Sequence, residues 1–180
     1  MLYIITALKP EAQAFVDKYK LKKQKIQNFT FFTNDAITLV VSGLGVDNAK
    51  LASEVILNNF TLNKDDKFLN IGICGARKEH SVGKLLEIGA INYKDKFYTL
   101  DAKNKHQIVC LDIPASDEEY EIVDMESFGF YDALTTKVDK KNIHIFKVVS
   151  DNFEPYKVTK DKTKALIFKE IENILKEVQK

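Results

Sequence analysis

Arginine is nearly absent from this sequence, because Arg77 is the only arginine among 27 basic residues. A site built from several bidentate arginine forks is therefore excluded. Excess charge is also lacking, since Lys+Arg 27 and Asp+Glu 26 leave a net charge of +1. Without a global positive field, the composition disfavours nucleic acid as a partner.

Cysteine and long apolar runs are scarce as well. Cys74 and Cys110 are the only cysteines and form no C-x-x-C or Cys/His spacing, which disfavours a redox pair or a zinc site and favours a reducing compartment. No apolar run approaches bilayer length, and the apolar N-terminus meets Lys9-Pro10-Glu11 too soon for a signal peptide. We therefore expect a soluble cytoplasmic protein with no membrane partner, no metal and no cofactor.

The chain is expected to form a single domain over 1–180, because no repeat, low-complexity segment or Pro/Gly/Ser-rich linker divides it. Hydrophobic patterning predicts helices starting at 9 and spanning 46–60 and 159–179, a strand end running into a helix over 123–136, a turn at 101–105, and strands at 2–8, 29–33, 36–41, 67–75, 85–93, 96–100, 107–111 and 143–150. Strands and helices alternate at both ends. This order predicts an α/β fold with three α/β/α layers and a central mixed β-sheet.

Glycines and histidines carry weak signals. Gly43-Leu44-Gly45 follows a strand and opens a helix, but Asn48 stands at the third glycine position of a dinucleotide fingerprint, so a tight turn is the favoured interpretation. The three histidines, His80, His106 and His144, are isolated in sequence, and each is interpreted as an ordinary packed or surface residue.

Carboxylates at the ends of predicted buried elements are more informative. Ligands in such sheets bind at the carboxyl ends of the strands, where Glu11, Glu126 and Asp151 are placed. Any one of them could be a helix cap. Three carboxylates at the ends of separate buried elements favour a common site as strongly as they favour three caps.

Five motifs carry a family resemblance. In chain order they are 5–11 (ITALKPE), 42–45 (SGLG), 70–75 (NIGICG), 123–127 (VDMES) and 149–151 (VSD). The ordered set resembles the nucleoside phosphorylase superfamily, and within it is most similar to the 5′-methylthioadenosine/S-adenosylhomocysteine nucleosidases and related hydrolases. The resemblance implies a phosphorylase/hydrolase-like fold, a nucleoside substrate and a homodimer.

The resemblance also implies site residues. Glu126 would bind the ribose hydroxyls, Asp151 would protonate the purine leaving group, and Glu11 would activate water. The same likeness places Met125 against the sugar and Ser150 beside the acid in the S-D motif. It places the base against Ile73, Cys74 and Gly75. Cleavage of an N-ribosidic bond develops positive charge on the sugar and negative charge on the base, which explains an acid near the base and anions near the ribose.

Two alternatives to a hydrolase remain open. A phosphorylase of this superfamily clamps phosphate with arginines, one of them typically where this chain has Asn70. The near absence of arginine, with Glu11 at the water-activating position, therefore favours water as the nucleophile, although lysines can also bind phosphate. The segment between Gly89 and Val123 is shorter than in the family, which leaves a non-catalytic nucleoside-binding protein as the other alternative.

Overall fold

The computed structural model describes residues 1–101, 103 and 105–179. The strands are β1 (Leu2–Thr6), β2 (Lys22–Ile26), β3 (Phe29–Thr33), β4 (Ile37–Val41), β5 (Lys67–Ala76), β6 (Leu85–Tyr93), β7 (Lys96–Thr99), β8 (His106–Cys110), β9 (Ile122–Asp124) and β10 (Ile143–Asp151). The helices are α1 (Lys9–Tyr19), α2 (Val46–Asn59), α3 (Ser127–Leu134) and α4 (Lys160–Val178), with short 3₁₀ turns at Lys140–Asn142 and Pro155–Lys157.

The sheet is mixed, as the alternation of strands and helices predicts. β4, β1, β5 and β10 are neighbours and run parallel, while β3 and β2 extend this part antiparallel. β10 continues through β6, β8 and β9, and β9 returns to pair with Gly75 and Ala76 at the end of β5. Five strands therefore close on one another around the carboxyl end of β5.

Two hydrophobic clusters hold the helices to this sheet. α1 packs with α4 through Phe15 and Ile171, among others, and α2 packs with α3 in a separate cluster that includes Ile56 and Phe130. All four of these side chains are fully buried. The α/β class is therefore confirmed. Within the described residues, no helix is both long and apolar enough to cross a membrane.

One strand and two short turns differ from the sequence prediction. β2 was not expected, because its side chains at Lys22–Lys25 are exposed and polar, as suits a strand at the sheet edge. The 3₁₀ turns are too short to produce a periodic signal. The turn predicted at 101–105 includes residues 102 and 104, which lie outside the described residues.

Candidate active site

A cavity of about 310 Å³ opens where the carboxyl ends of β1, β5, β9 and β10 meet. The fold brings to this cavity all eight residues singled out from the sequence, which are Glu11, Ile73, Cys74, Gly75, Met125, Glu126, Ser150 and Asp151. The three carboxylates arrive from three different elements that are far apart along the chain. Helix capping alone would not direct them into one cavity.

Glu11 lies in the first turn of α1, next to Pro10, whose ring favours a helix start. Its Oε2 accepts the Leu8 N–H at 2.8 Å, and its Oε1 accepts the Ile73 N–H of β5 at 3.0 Å. Burial raises the pKa of Glu11 to about 7, although the two backbone N–H groups favour the ionised form. A carboxylate with this pKa can exchange a proton near neutral pH.

Glu126 immediately precedes α3 and is held by the turn that opens α2. Its Oε1 accepts the N–H of Gly45 at 3.1 Å. Gly45 has φ 99° and ψ 161°, a conformation almost restricted to glycine, so the tight-turn interpretation of this glycine pair is consistent with the structure. Burial raises the pKa of Glu126, while the nearby Lys147 ammonium opposes that rise.

Asp151 ends β10 and is fixed on both oxygens. Its Oδ2 lies 2.6 Å from the Ser150 hydroxyl, and its Oδ1 accepts the Glu154 N–H at 2.8 Å. The Ser150 hydroxyl also lies 3.1 Å from the carbonyl oxygen of Cys74 on β5. Gly75 passes beside the acid, since a Cβ placed there would lie 3.9 Å from Asp151 Oδ1.

Lys147 and Asp124 were missed by the sequence analysis. Lys147 lies in the middle of β10 with no exposed surface, and its Nζ forms an ion pair with Asp124 Oδ2 at 2.7 Å. Burial disfavours its charge, but Asp124, Glu126 and Glu11 outweigh that effect and raise the pKa of Lys147. A fully charged lysine therefore lies behind the carboxylates. The one available signal was a lysine inside an otherwise apolar strand.

Gly72 shows how closely these groups are packed. A Cβ on Gly72 would lie 3.0 Å from Glu11 Oε1 and 3.6 Å from Lys147 Nζ. Glycine at this position of β5 therefore leaves the room in which the buried carboxylate and the buried ammonium approach each other.

The cavity wall is apolar apart from its carboxylates. Four acidic residues line it, namely Glu11, Asp124, Glu126 and Asp151, whereas no lysine, arginine or aromatic residue among the described residues does so. The remaining lining is mainly aliphatic, including Met125 and Val123. Leu111, Ile113 and Pro114 supply part of the wall, which places the segment following β8 beside the cavity. The site is suited to an uncharged or electron-poor molecule rather than to an anion.

No family model and no curated protein matches the sequence. A solved structure described as a putative 5′-methylthioadenosine/S-adenosylhomocysteine nucleosidase from Francisella philomiragia superposes with a TM-score of 0.80 at 13% identity, covering 99% of this chain and 98% of that one. The chain has the nucleosidase fold.

Two further structures share this nucleosidase fold. Futalosine hydrolase of Helicobacter pylori superposes with a TM-score of 0.79 at 15% identity, covering 98% of this chain and 97% of that one. The 5′-methylthioadenosine/S-adenosylhomocysteine nucleosidase of Neisseria meningitidis, solved with methylthio-immucillin-A, gives 0.77 at 16% identity and covers 98% of both chains. The family resemblance drawn from five short motifs is thus confirmed at the level of the fold.

Proposed function

We propose that this protein is a nucleosidase that hydrolyses the N-ribosidic bond of a purine nucleoside or a 5′-thionucleoside. The observation that carries the proposal is the meeting of Glu11, Glu126 and Asp151 in one cavity at the carboxyl edge of the sheet. The structures with the same fold support it, because those compared above are nucleosidases and a futalosine hydrolase.

Each carboxylate has a role suited to its surroundings. Asp151 donates a proton to the departing purine, and its fixed orientation between Ser150 and the Glu154 N–H keeps the acid aimed at one place. Glu126 accepts hydrogen bonds from the ribose hydroxyls and stabilises positive charge that develops on the sugar. Met125, its neighbour along the chain, packs against the sugar. Ile73, Cys74 and Gly75 form the wall beside the base.

Glu11 activates the attacking water. Its buried position and its pKa of about 7 leave it able to accept a proton from water at neutral pH. Lys147 does not line the cavity, but its charge acts on both Glu11 and Glu126 and offsets their mutual repulsion. We assign it the part of a positioning residue that allows two acidic groups to share this site.

Water is favoured over phosphate as the nucleophile. A phosphorylase needs cations around its phosphate, and the described cavity lining contains only carboxylates as charged groups. The buried Lys147 pairs with Asp124 and does not line the cavity, so it offers no cation to a bound phosphate. Phosphate entering this cavity would meet four acidic side chains.

The substitution Asp151→Asn tests the proposal. Asparagine keeps an oxygen for the Glu154 N–H but cannot supply the proton, so we expect release of free base to fall by about 10²–10⁴-fold. Binding of the nucleoside, measured by calorimetry, should stay within a few-fold. Asp35→Asn, at an exposed turn, serves as the control with unchanged activity.

Two outcomes of that experiment bear on the alternatives. Unchanged turnover in Asp151→Asn would contradict the role of this acid. A wild-type protein that gains thermal stability from a nucleoside but releases no base would instead be a nucleoside-binding protein.

We also propose the finer features implied by the family resemblance. The separate packing of α1 with α4 and of α2 with α3 supports three α/β/α layers.

Leu44 and Ile113 are 53% and 73% exposed at the cavity rim, which supports a homodimer that covers them. Small-angle scattering tests this oligomeric state. The free, buried thiols of Cys74 and Cys110 suit a cytoplasmic location.

A further inference from the structure

Two of the three histidines, isolated in sequence, meet in the fold. His80 is buried in the loop that follows β5, and His106 begins β8. Their rings meet edge to face with centroids 5.4 Å apart. Glu121, just before β9, places its Oε1 2.8 Å from His80 Nε2. Spacing along the chain could not reveal this group, because each residue belongs to a different segment.

The donor set fits a transition metal ion. His80, His106 and Glu121 each offer one ligand atom, and these atoms all lie within 4.8 Å of one another. Two imidazoles and one carboxylate are ligands that zinc accepts, with water completing a tetrahedron. Ligands bound to one zinc ion lie about 3–3.5 Å apart, so only small side-chain movements are needed to close the group around an ion.

The three residues stand apart from the cavity but are connected to its walls. None of them lines the cavity. The backbone oxygen of His80 accepts the side-chain amide of Asn152, the residue after Asp151, at 3.3 Å. The Arg77 side chain donates hydrogen bonds to the backbone oxygens of Glu118 and Glu119. These bonds hold the loop after β5 against the segment leading into Glu121. An ion here would join three chain segments, one of which is bonded to the residue next to Asp151.

The ammonium group of Lys84 disfavours metal binding by His80. Its Nζ lies 3.3 Å from His80 Nδ1, so in the neutral ring Nδ1 accepts from Lys84 and Nε2 carries the proton. Binding of a metal through Nε2 moves the ring proton to Nδ1, where it would face the ammonium group. Lys84 is exposed and can turn into solvent, at a cost to metal affinity.

We propose that His80 Nε2, His106 and Glu121 form a binding site for a divalent transition metal ion of the zinc type, which clamps the loop after β5 to β8 and to the segment before β9. The site is independent of the proposed nucleosidase activity. Its role is structural, since it fixes three chain segments to one another and none of its ligand residues lines the cavity.

Titration of metal-free protein with ZnCl₂ alone, followed by calorimetry, tests the site. We expect one ion per chain and a rise in Tm on zinc addition. His106→Gln and Glu121→Gln should each lower zinc affinity at least about 10-fold, because even the loss of an outer-shell partner costs that much. His144→Gln, which removes the remaining histidine from β10, is the matched control and should bind as the wild type does.

Cobalt and Lys84→Met add a second readout. Co²⁺ at this site should show the intense visible absorption of tetrahedral coordination, lost in His106→Gln. Lys84→Met should bind zinc more tightly than the wild type because the opposing ammonium is gone. A wild-type Kd weaker than about 1 mM, or equal zinc binding by His106→Gln and wild type, would overturn the site. Unchanged or weaker affinity in Lys84→Met would overturn His80 Nε2 as the ligand atom.

Discussion

The fold changes the charge state of Glu11 in the pH range where enzymes work. Burial raises its pKa to about 7, from an ordinary value of 4.5. The raised pKa means that the folded protein binds this proton more tightly than the unfolded chain does. Any stability that comes from the protonated form is therefore complete below about pH 4.5 and is lost as the pH rises through 7.

The proposed activity should rise with pH, whereas the stability that comes from protonated Glu11 falls. A base must be ionised to accept a proton from water, so we expect kcat/KM to fall about tenfold per pH unit below pH 7, with an apparent pKa of about 7. The measurement is a pH profile of base release, with Glu11→Gln as the inactive reference. A profile that stays flat between pH 5 and 8 would rule Glu11 out as the base.

Lys147 contributes to the stability of the protein through its buried ion pair with Asp124. Lys147→Met leaves Asp124 buried without its ion-pair partner, and we expect the free energy of unfolding to fall by about 3–5 kcal/mol. Because the charge of Lys147 also lowers the pKa of Glu11, the acidic limb of the pH profile should move to higher pH.

The double variant Lys147→Met/Asp124→Asn separates the charge effect from lost packing. It leaves no unpaired charge on this pair, so its loss of unfolding free energy should be well below the sum of the losses in the two single variants. Urea unfolding of the four proteins gives this coupling directly. Strictly additive losses would show that the ion pair contributes no net interaction.

Helices α2 and α3 act as one element because they touch through backbone. Gly129 of α3 has no room for a Cβ, which would lie 2.0 Å from the carbonyl oxygen of Val46. Val46 follows Gly45, whose N–H binds Glu126. The contact between the two helices therefore sets the distance between this N–H and the proposed ribose-binding carboxylate.

Gly129→Ala should disturb stability and binding together. We expect a loss of about 1–3 kcal/mol in unfolding free energy from overpacking. We also expect KM for the nucleoside to rise, because the α2 turn and Glu126 move apart. Thermal unfolding and steady-state kinetics check both effects. An unchanged Tm would contradict the close contact, and an unchanged KM would separate it from the site.

The elements that sequence reasoning predicted are those with a strong local signal. β5 and β10 are largely apolar runs, and α4 carries a clear apolar stripe, so their positions agree with the structure to within about two residues. β2 escaped because its exposed lysines resemble a surface loop. Strand pairing, and hence the closure of β9 onto β5, depends on contacts between distant segments that no local pattern contains.

In the candidate site too, residues with a local sequence signal were predicted and residues without one were not. The common position of Glu11, Glu126 and Asp151 was predictable because each lies at or just after the carboxyl end of a strand and within a short motif. Lys147 escaped, because its importance depends on Asp124, which lies on another strand. The pair of His80 and His106 was likewise hidden, since neither residue has a ligand neighbour in sequence.

At the scale of the whole molecule, one fold and one acidic cavity account for the proposed reaction. The nucleosidase fold places four carboxylates around about 310 Å³ of largely apolar space, with a buried lysine behind them and no cationic side chain in the described lining. That arrangement favours departure of a neutralised base and attack by water.

Release of free base from purine nucleosides in phosphate-free buffer tests this account most directly. The purified protein is incubated with a panel that includes 5′-methylthioadenosine, with and without added phosphate, and the products are separated by chromatography. We predict equal amounts of free base and free sugar, at a rate that phosphate does not increase. Base release that requires phosphate and yields a sugar phosphate, or binding of nucleosides without any release, would contradict the account.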